Sequence, residues 1–526
     1  MSDPTNPGPR RAVSRRAVLL GGAAALGAST LGGTSLASAL SSPGAGLGRR
    51  IADPFTLGVA SGDPLADGVV LWTRLAPEPT AEDGTGGMPD KVVEVQWEVA
   101  EDEAFSRIVQ SGEQDAAPDL GHSVHVELEG LKPGAEYFYR FRAEGSISPV
   151  GRTRTAPAPG TMGELTMCFA SCAHFGEGYF TAYRRMAEDE PGLILHLGDY
   201  QYEYAAKDSD VRKVLGPETR TLANYRQRHG QYKTDPDLQL AHSVAPWLVV
   251  WDDHEIENNW ADETPEKPDD GFLDRRKAAM QAYYENMPLR SGSKPNGIDT
   301  QLYRRYQWGA LANFHMLDTR QYRSDQACGD GVQSGCSDRE DPNRSLTGAE
   351  QEKWLIDGFN ATSARWDVLG QQVFFSKIDL TFGAEKGYNM DAWDGYVANR
   401  DRIAGAMAGS KVRNGVVLTG DVHRHWAAEI KRTHDDADSP AVGTEFVTTS
   451  VTSGGDGNDD GNEDVLGENP HVKFYANRRG YIRTKFTETQ LRADYRVLGQ
   501  VSKPDAAAET AKSFVVEDGN PTLNPA

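Results

Sequence analysis

"LILHLGDYQYEY" runs from Leu193 to Tyr204. Its first five residues form an apolar run of strand length, broken only by His196, as expected of a strand covered on both faces. Gly198 then stops the run. Asp199 follows, and Tyr202 comes three places later. A buried strand that ends in a carboxylate and a phenol delivers polar groups to the edge where open α/β sheets bind ligands.

The same grammar recurs along the chain. "LTMCFASC" (Leu165–Cys172) ends on Ser171 and Cys172. "LAHSVAPWLVVWDDHE" (Leu240–Glu255) ends on Asp252, Asp253, His254 and Glu255. "NGVVLTGDVH" (Asn414–His423) ends on Asp421 and His423. "LANFHMLDTR" and "RWDVLGQQVFFS" are further strands of this type, and "FTAYRRMAEDE" reads as a helix between them. Strands alternating with helices from about Glu164 predict an α/β fold.

Residues 55–157 differ. "VVLWTRL", "VVEVQWEV", "HSVHVEL" and "YFYRFRAE" alternate or run apolar at strand length and are parted by Gly, Pro and Asp, which predicts an all-β domain. In "LKPGAEYFYR", Leu131, Pro133, Tyr137 and Tyr139 have the spacing of a strand-end corner in a β-sandwich, so this part resembles a fibronectin type III-like module. "TAPAPGTMG" (Thr155–Gly163) is the expected linker, residues 158–501 the expected catalytic domain, and residues 502–526 an Ala-, Glu- and Pro-rich tail read as a surface helix or an extended strap.

The 526 residues carry a formal charge of −22, which argues against nucleic acid as a partner because phosphates demand a basic footprint. It does not exclude a phosphorylated substrate, since bound cations neutralise acidic ligands and then attract phosphate. Residues 1–39 read as a twin-arginine export signal: Arg15 and Arg16 precede an Ala/Gly-rich apolar stretch, and Ala37–Ser38–Ala39 offers a small-x-small cleavage site. Cleavage would remove a net +3 and leave about −25. Residues 40–54 are a linker, and no later segment reaches the about 20 apolar residues of a spanning helix. A secreted or cell-envelope location, reached through the translocation machinery, is therefore expected, with no transmembrane anchor in the mature chain.

Cys328 and Cys336 bracket "GDGVQSG" in a polar loop. In an exported protein this reads as a local disulfide, with two free thiols as the alternative. Cys168 reads as an inert buried residue.

Cys172, Asp199, Tyr202, Asp252, Asp253, His254, Glu255, Asp421 and His423 all sit at strand ends, and carboxylate, imidazole, phenolate and thiolate are all metal-ligand types. Singly each has a structural reading: a strand-end Asp caps the next helix, Glu255 caps the following segment, Asp252 is solvated, His196 lies in the core, and His174 and His425 are local hydrogen-bonders. Arg320 and Arg323 read either as substrate clamps or as surface salt-bridge partners.

The order of these motifs resembles the calcineurin-like metallophosphoesterases. "GDYQY" is similar to the purple-acid-phosphatase form, "DDHE" stands where GNHE would be, "GDVH" where GH-x-H would be, and Cys172 replaces the usual first Asp. With "SGDP" (Ser61–Pro64), "VLWTR" (Val70–Arg74), "DTRQYR" (Asp318–Arg323) and "RGYIR" (Arg479–Arg483), these departures resemble the PhoD-like alkaline phosphatases over nearly the whole mature chain. The resemblance implies a four-layer αββα sandwich behind the β-sandwich domain. It implies Fe3+ and Ca2+ as cofactors, with Cys172, Asp199, Tyr202, Asp253, Asp421 and His423 as ligands. It also implies hydrolysis of phosphate mono- or diesters by a metal-activated hydroxide. His254 would be the acid, oriented by Asp252 or Glu255. The exchange of Asn and His for Asp favours Ca2+, which prefers hard anionic oxygen. Two rivals stand: a phosphodiesterase or phospholipase D on the same scaffold, and a non-enzymatic adhesin suggested by the sandwich.

Overall fold

A computed structural model describes residues 52–434, 436 and 438–526. The export signal and most of the following linker lie outside the described residues.

Two large sheets stack face to face. At the centre of the first, Leu165–Ala170, Leu193–Leu197 and Pro246–Val250 pair in parallel, and Val59–Gly62 joins them, also parallel. Antiparallel strands extend this sheet on both sides to ten. The second sheet has eight strands around a parallel core of Ala312–Met316, Trp366–Gln371, Gly415–Thr419 and Ala441–Val447. Their inner faces share one core, in which Leu195, Leu197 and Phe486 meet Phe314, Trp366 and Leu418. Helices Thr181–Glu188, Leu222–Lys233, Pro236–Val244 and Phe272–Asn286 cover the outside of the first sheet. Helices Gly348–Ala361 and Val397–Gly409 cover the second through a core of their own. This is the four-layer αββα arrangement. Helices on both outer faces explain why the central strands read as continuous apolar runs.

The N-terminal β-rich part is a sandwich that shares a layer with its neighbour. Val69–Arg74 and Ser123–Leu128 continue the first large sheet beyond Val59–Gly62. Facing them, Val93–Ala100, Ile108–Ala116 and Glu136–Ala143 form the second layer, and Val59, Leu71 and Val126 pack against Val95, Tyr139 and Phe141. The corner read from the sequence is present: the Tyr137 hydroxyl accepts the Lys132 backbone N–H at 2.9 Å.

The tail corrects its reading as a surface helix or strap. Ala508–Glu517 and Asn520–Pro525 form a hairpin that adds the last two strands to the ten-stranded sheet. The Asp518–Gly519 turn, with Gly519 at φ +77°, is a strong short-range hairpin signal that the Ala/Glu composition masked. Cys328 and Cys336 are disulfide-bonded, with Cα atoms 6.1 Å apart.

Candidate metal centre at the strand ends

The C-terminal ends of the parallel strands turn sharply into loops. Cys172, Asp199, Asp421 and His423 all have φ between 54° and 61°, the left-handed region that non-glycine residues rarely adopt. Such conformations persist only where surrounding structure over-determines them, and they gather at functional sites. The turn before Asp199 needs glycine: Gly198 has φ +103°, and a Cβ there would lie 2.4 Å from that of Asp252.

Among the described residues three groups of donor atoms converge, each within 4.8 Å: Cys172 with Asp199 and His423, Asp199 with Asp253 and His254, and Asp252 with Asp253 and Asp421. Asp199 and Asp253 each belong to two groups. Tyr202 completes the first: its hydroxyl donates to Asp199 Oδ2 at 2.8 Å and lies 3.2 Å from His423 Nε2. All the expected ligand residues are thus brought together.

The electrostatics of this cluster are unbalanced. Asp199 Oδ1, Asp252 Oδ2 and Asp253 Oδ1 are buried with no hydrogen-bond partner. Burial, then neighbouring acids, pushes the Asp199 and Asp421 carboxyls well above the usual range. Burial likewise pushes up the Cys172 thiol and the Tyr202 phenol, and raises Asp252 to about 7 against the pull of Arg320. Orphaned carboxylate oxygens facing one another in a buried site are what a cation satisfies, and cation binding deprotonates such donors. The donor set fits bound metal.

Among the described residues Arg320 is built into the acid cluster, so its surface salt-bridge reading does not hold. It is fully buried, with Nε 2.5 Å from Asp252 Oδ1, and Asp391 holds its other two nitrogens at 2.9 and 3.0 Å. Arg323 bonds the Tyr396 hydroxyl and lies 3.0 Å from Asp391. Neither is a surface salt-bridge residue. Asp252, buried and ion-paired, is not solvated.

Neither Asp252 nor Glu255, the residues expected to orient His254, is hydrogen-bonded to its ring among the described residues. His254 Nδ1 meets Glu203 Oε2 at 2.8 Å. Glu255 instead accepts the backbone N–H groups of Asp199, Tyr200 and Asp252, tying two ligand loops together from beneath. Burial opposes charge on His254, but Asp253, Glu203 and Asp199 outweigh it and hold the imidazole protonated well above its usual range. His196 is a core residue bonded to the Tyr183 hydroxyl, and His425 Nδ1 accepts the Thr449 N–H. His174 is buried without a partner, its ring 4.7 Å from that of Tyr202, and burial lowers it to about 4. Sequence reasoning also missed Ser453, whose hydroxyl donates to the Cys172 carbonyl and lies 2.7 Å from the Tyr202 hydroxyl. The Ser/Thr/Gly run after Ala441–Val447 repeats the strand-end grammar and was the available signal.

Residues 167–495 match the PhoD-like phosphatase family, and residues 41–157 match the PhoD-like phosphatase N-terminal domain. Alkaline phosphatase D of Bacillus subtilis (strain 168) is 50% identical over 474 residues, covering 88% of this chain and 81% of that protein. The solved structure of PhoD superposes with a TM-score of 0.87 at 49% identity, over 90% of this chain and 92% of that one. A purple acid phosphatase from yellow lupin (Lupinus luteus) seeds shares the fold, with a TM-score of 0.54 at 12% identity over 88% of this chain and 73% of that one.

Proposed function

The chain belongs to the PhoD-like phosphatase family, and from that membership and the geometry of the strand ends we infer that it is a metal-dependent phosphate-ester hydrolase working where its two sheets meet. The observation that carries this reading is the meeting of Cys172, Asp199, Asp421 and His423 in left-handed backbone, with orphaned carboxylate oxygens between them. The adhesin reading gives no reason for that arrangement and is set aside.

The donor sets differ. Cys172, Tyr202, His423 and Asp199 offer thiolate, phenolate, imidazole and carboxylate, which suit Fe3+. Asp252, Asp253 and Asp421 offer only carboxylate oxygen, which suits Ca2+. Asp199, which also lies within reach of Asp253, would be shared between them. Bound there, the cations would neutralise charge on the phosphoryl group and activate water for in-line attack.

The chain's own residues do the rest. Glu203 fixes the His254 ring through Nδ1 and leaves Nε2 to give its proton to the departing ester oxygen. Arg320, anchored by Asp391, offsets part of the carboxylate charge and holds Asp252 in place. Glu255 keeps the loops of Asp199 and Asp252 in register. The Arg15–Arg16 leader supports export by the twin-arginine machinery to a secreted or cell-envelope location.

The test is steady-state turnover of p-nitrophenyl phosphate and bis-p-nitrophenyl phosphate by protein supplied with iron and calcium. Hydrolysis that vanishes on chelation is the expected result, and the ratio of the two rates decides between monoesterase and the phosphodiesterase or phospholipase D alternative. No turnover of either ester by metal-loaded protein would overturn the reading.

A further inference from the structure

The strand-end cluster accounts for the phosphoryl half of an ester, and the alcohol half also needs a place. A cleft of about 430 Å3 opens beside the cluster, lined by Asp421 itself, by the aromatic rings of Phe374, Trp426 and Tyr475, and by Arg424. Its size is that of a small-molecule site. Asp421 belongs to the acid cluster and also borders the cleft, so the cluster and the cleft share one wall.

The walls are rigid. Trp426 lies on His425–Lys431, which is hydrogen-bonded to strands on both sides. Its ring stands edge-on to Phe374 and Tyr475, with centroids 5.9 and 4.6 Å away. Such a surface favours a flat ring, which can stack or pack edge-to-face without losing rotamer freedom. The Trp426 indole N–H is buried and has no hydrogen-bond partner in the protein. A buried donor left unpaired is costly, so an occupant that brings an acceptor gains more here than a purely hydrocarbon one. Arg424 is exposed, beside the Tyr475 hydroxyl, and its charge disfavours a cationic head group.

Building on the phosphoesterase reading, we propose that this cleft binds the alcohol portion of the substrate and selects a planar heterocycle bearing hydrogen-bond acceptors, as in a nucleotide. Trp426, only 2% exposed, is then a specificity-determining residue through its unpaired N–H, which meets a ring acceptor of the base. The cleft takes no part in bond breaking, so it acts on the choice among esters rather than on the chemistry.

The experiment compares kcat/KM for adenosine 5′-monophosphate, glycerol 1-phosphate and hexyl phosphate, using full-length protein loaded with iron and calcium. The nucleotide is expected to exceed both others by about tenfold or more. Trp426→Phe keeps an aromatic wall and removes the donor, and it should lower the ratio of nucleotide to glycerol phosphate about 5–10-fold, the worth of one hydrogen bond, mostly through KM. In the wild type, adenosine should inhibit glycerol phosphate hydrolysis competitively, and Arg424→Ala, at an exposed position, gives a second variant should Trp426→Phe fail to fold. Turnover with no preference for the nucleotide, a preference for hexyl phosphate, or no competition by adenosine would overturn the cleft assignment while leaving the phosphoesterase reading intact. Turnover of none of the three esters would remove that reading, and the cleft assignment with it.

Discussion

The two halves of the strand-end cluster are built from different chemistry on the same scaffold. One half gathers Cys172, Tyr202 and His423 around Asp199; the other gathers Asp252, Asp253 and Asp421 beside the buried Arg320. The first is mixed in donor type and includes two anions that are costly to form without a metal, since burial pushes both the Cys172 thiol and the Tyr202 phenol up. The second is all oxygen, with an arginine already present among the acids. A cation in the first half would hold its donors ionised. A cation in the second competes with an internal counter-charge. The difference predicts a tightly held ion on one side and an exchangeable one on the other.

The substitution that should break the first half is Cys172→Ser. An alkoxyl is a far poorer anion than a thiolate at neutral pH, so iron and any charge-transfer colour should be lost, with turnover falling on the order of 10⁴-fold. Full iron content and normal rates in that variant would refute the ligand assignment. His254→Ala probes the chemistry shared by both halves. Metal content should stay as in the wild type while kcat drops by about 10²–10³-fold, and added calcium should not restore it.

Asp253→Asn sharpens the second half. It keeps the size and one carbonyl oxygen but removes a charge, so calcium should bind more weakly by about 10-fold or more, with activity recovered at high calcium and iron unchanged. Calcium rescue of His254→Ala but not of Asp253→Asn would show the two roles to be reversed. The smallest effect belongs far from both halves. Cys328→Ser opens a short loop, costs about 2–3 kcal/mol by loop-closure entropy, and should leave kcat within twofold, as read by thermal melts and initial rates.

Much of the cluster was legible because strand ends announce themselves: an apolar run, a glycine, then Asp199, or an apolar run and then Asp252 to Glu255. What supports those residues was not. Glu203 stands inside the same stretch as Asp199, yet its partner His254 lies 51 positions away, and no local spacing links them. Asp391 comes from a loop after Gly387–Asn389 that follows no periodic pattern, although it anchors Arg320. The shared layer of the N-terminal sandwich was hidden for the same reason, since the pairing Ser61↔Pro246 joins distant parts of the chain. Periodicity reports which face is buried; it does not report the partner across a long loop.

The most direct test of the difference between the two halves is metal analysis of the purified protein before and after dialysis against a calcium-selective chelator, with activity followed in parallel. Iron retained at about one per chain, calcium lost together with activity, and activity restored by Ca2+ but not by Zn2+ is the expected result. Protein that contains no iron, or that recovers fully with zinc alone, would contradict the assignment of an iron half and a calcium half.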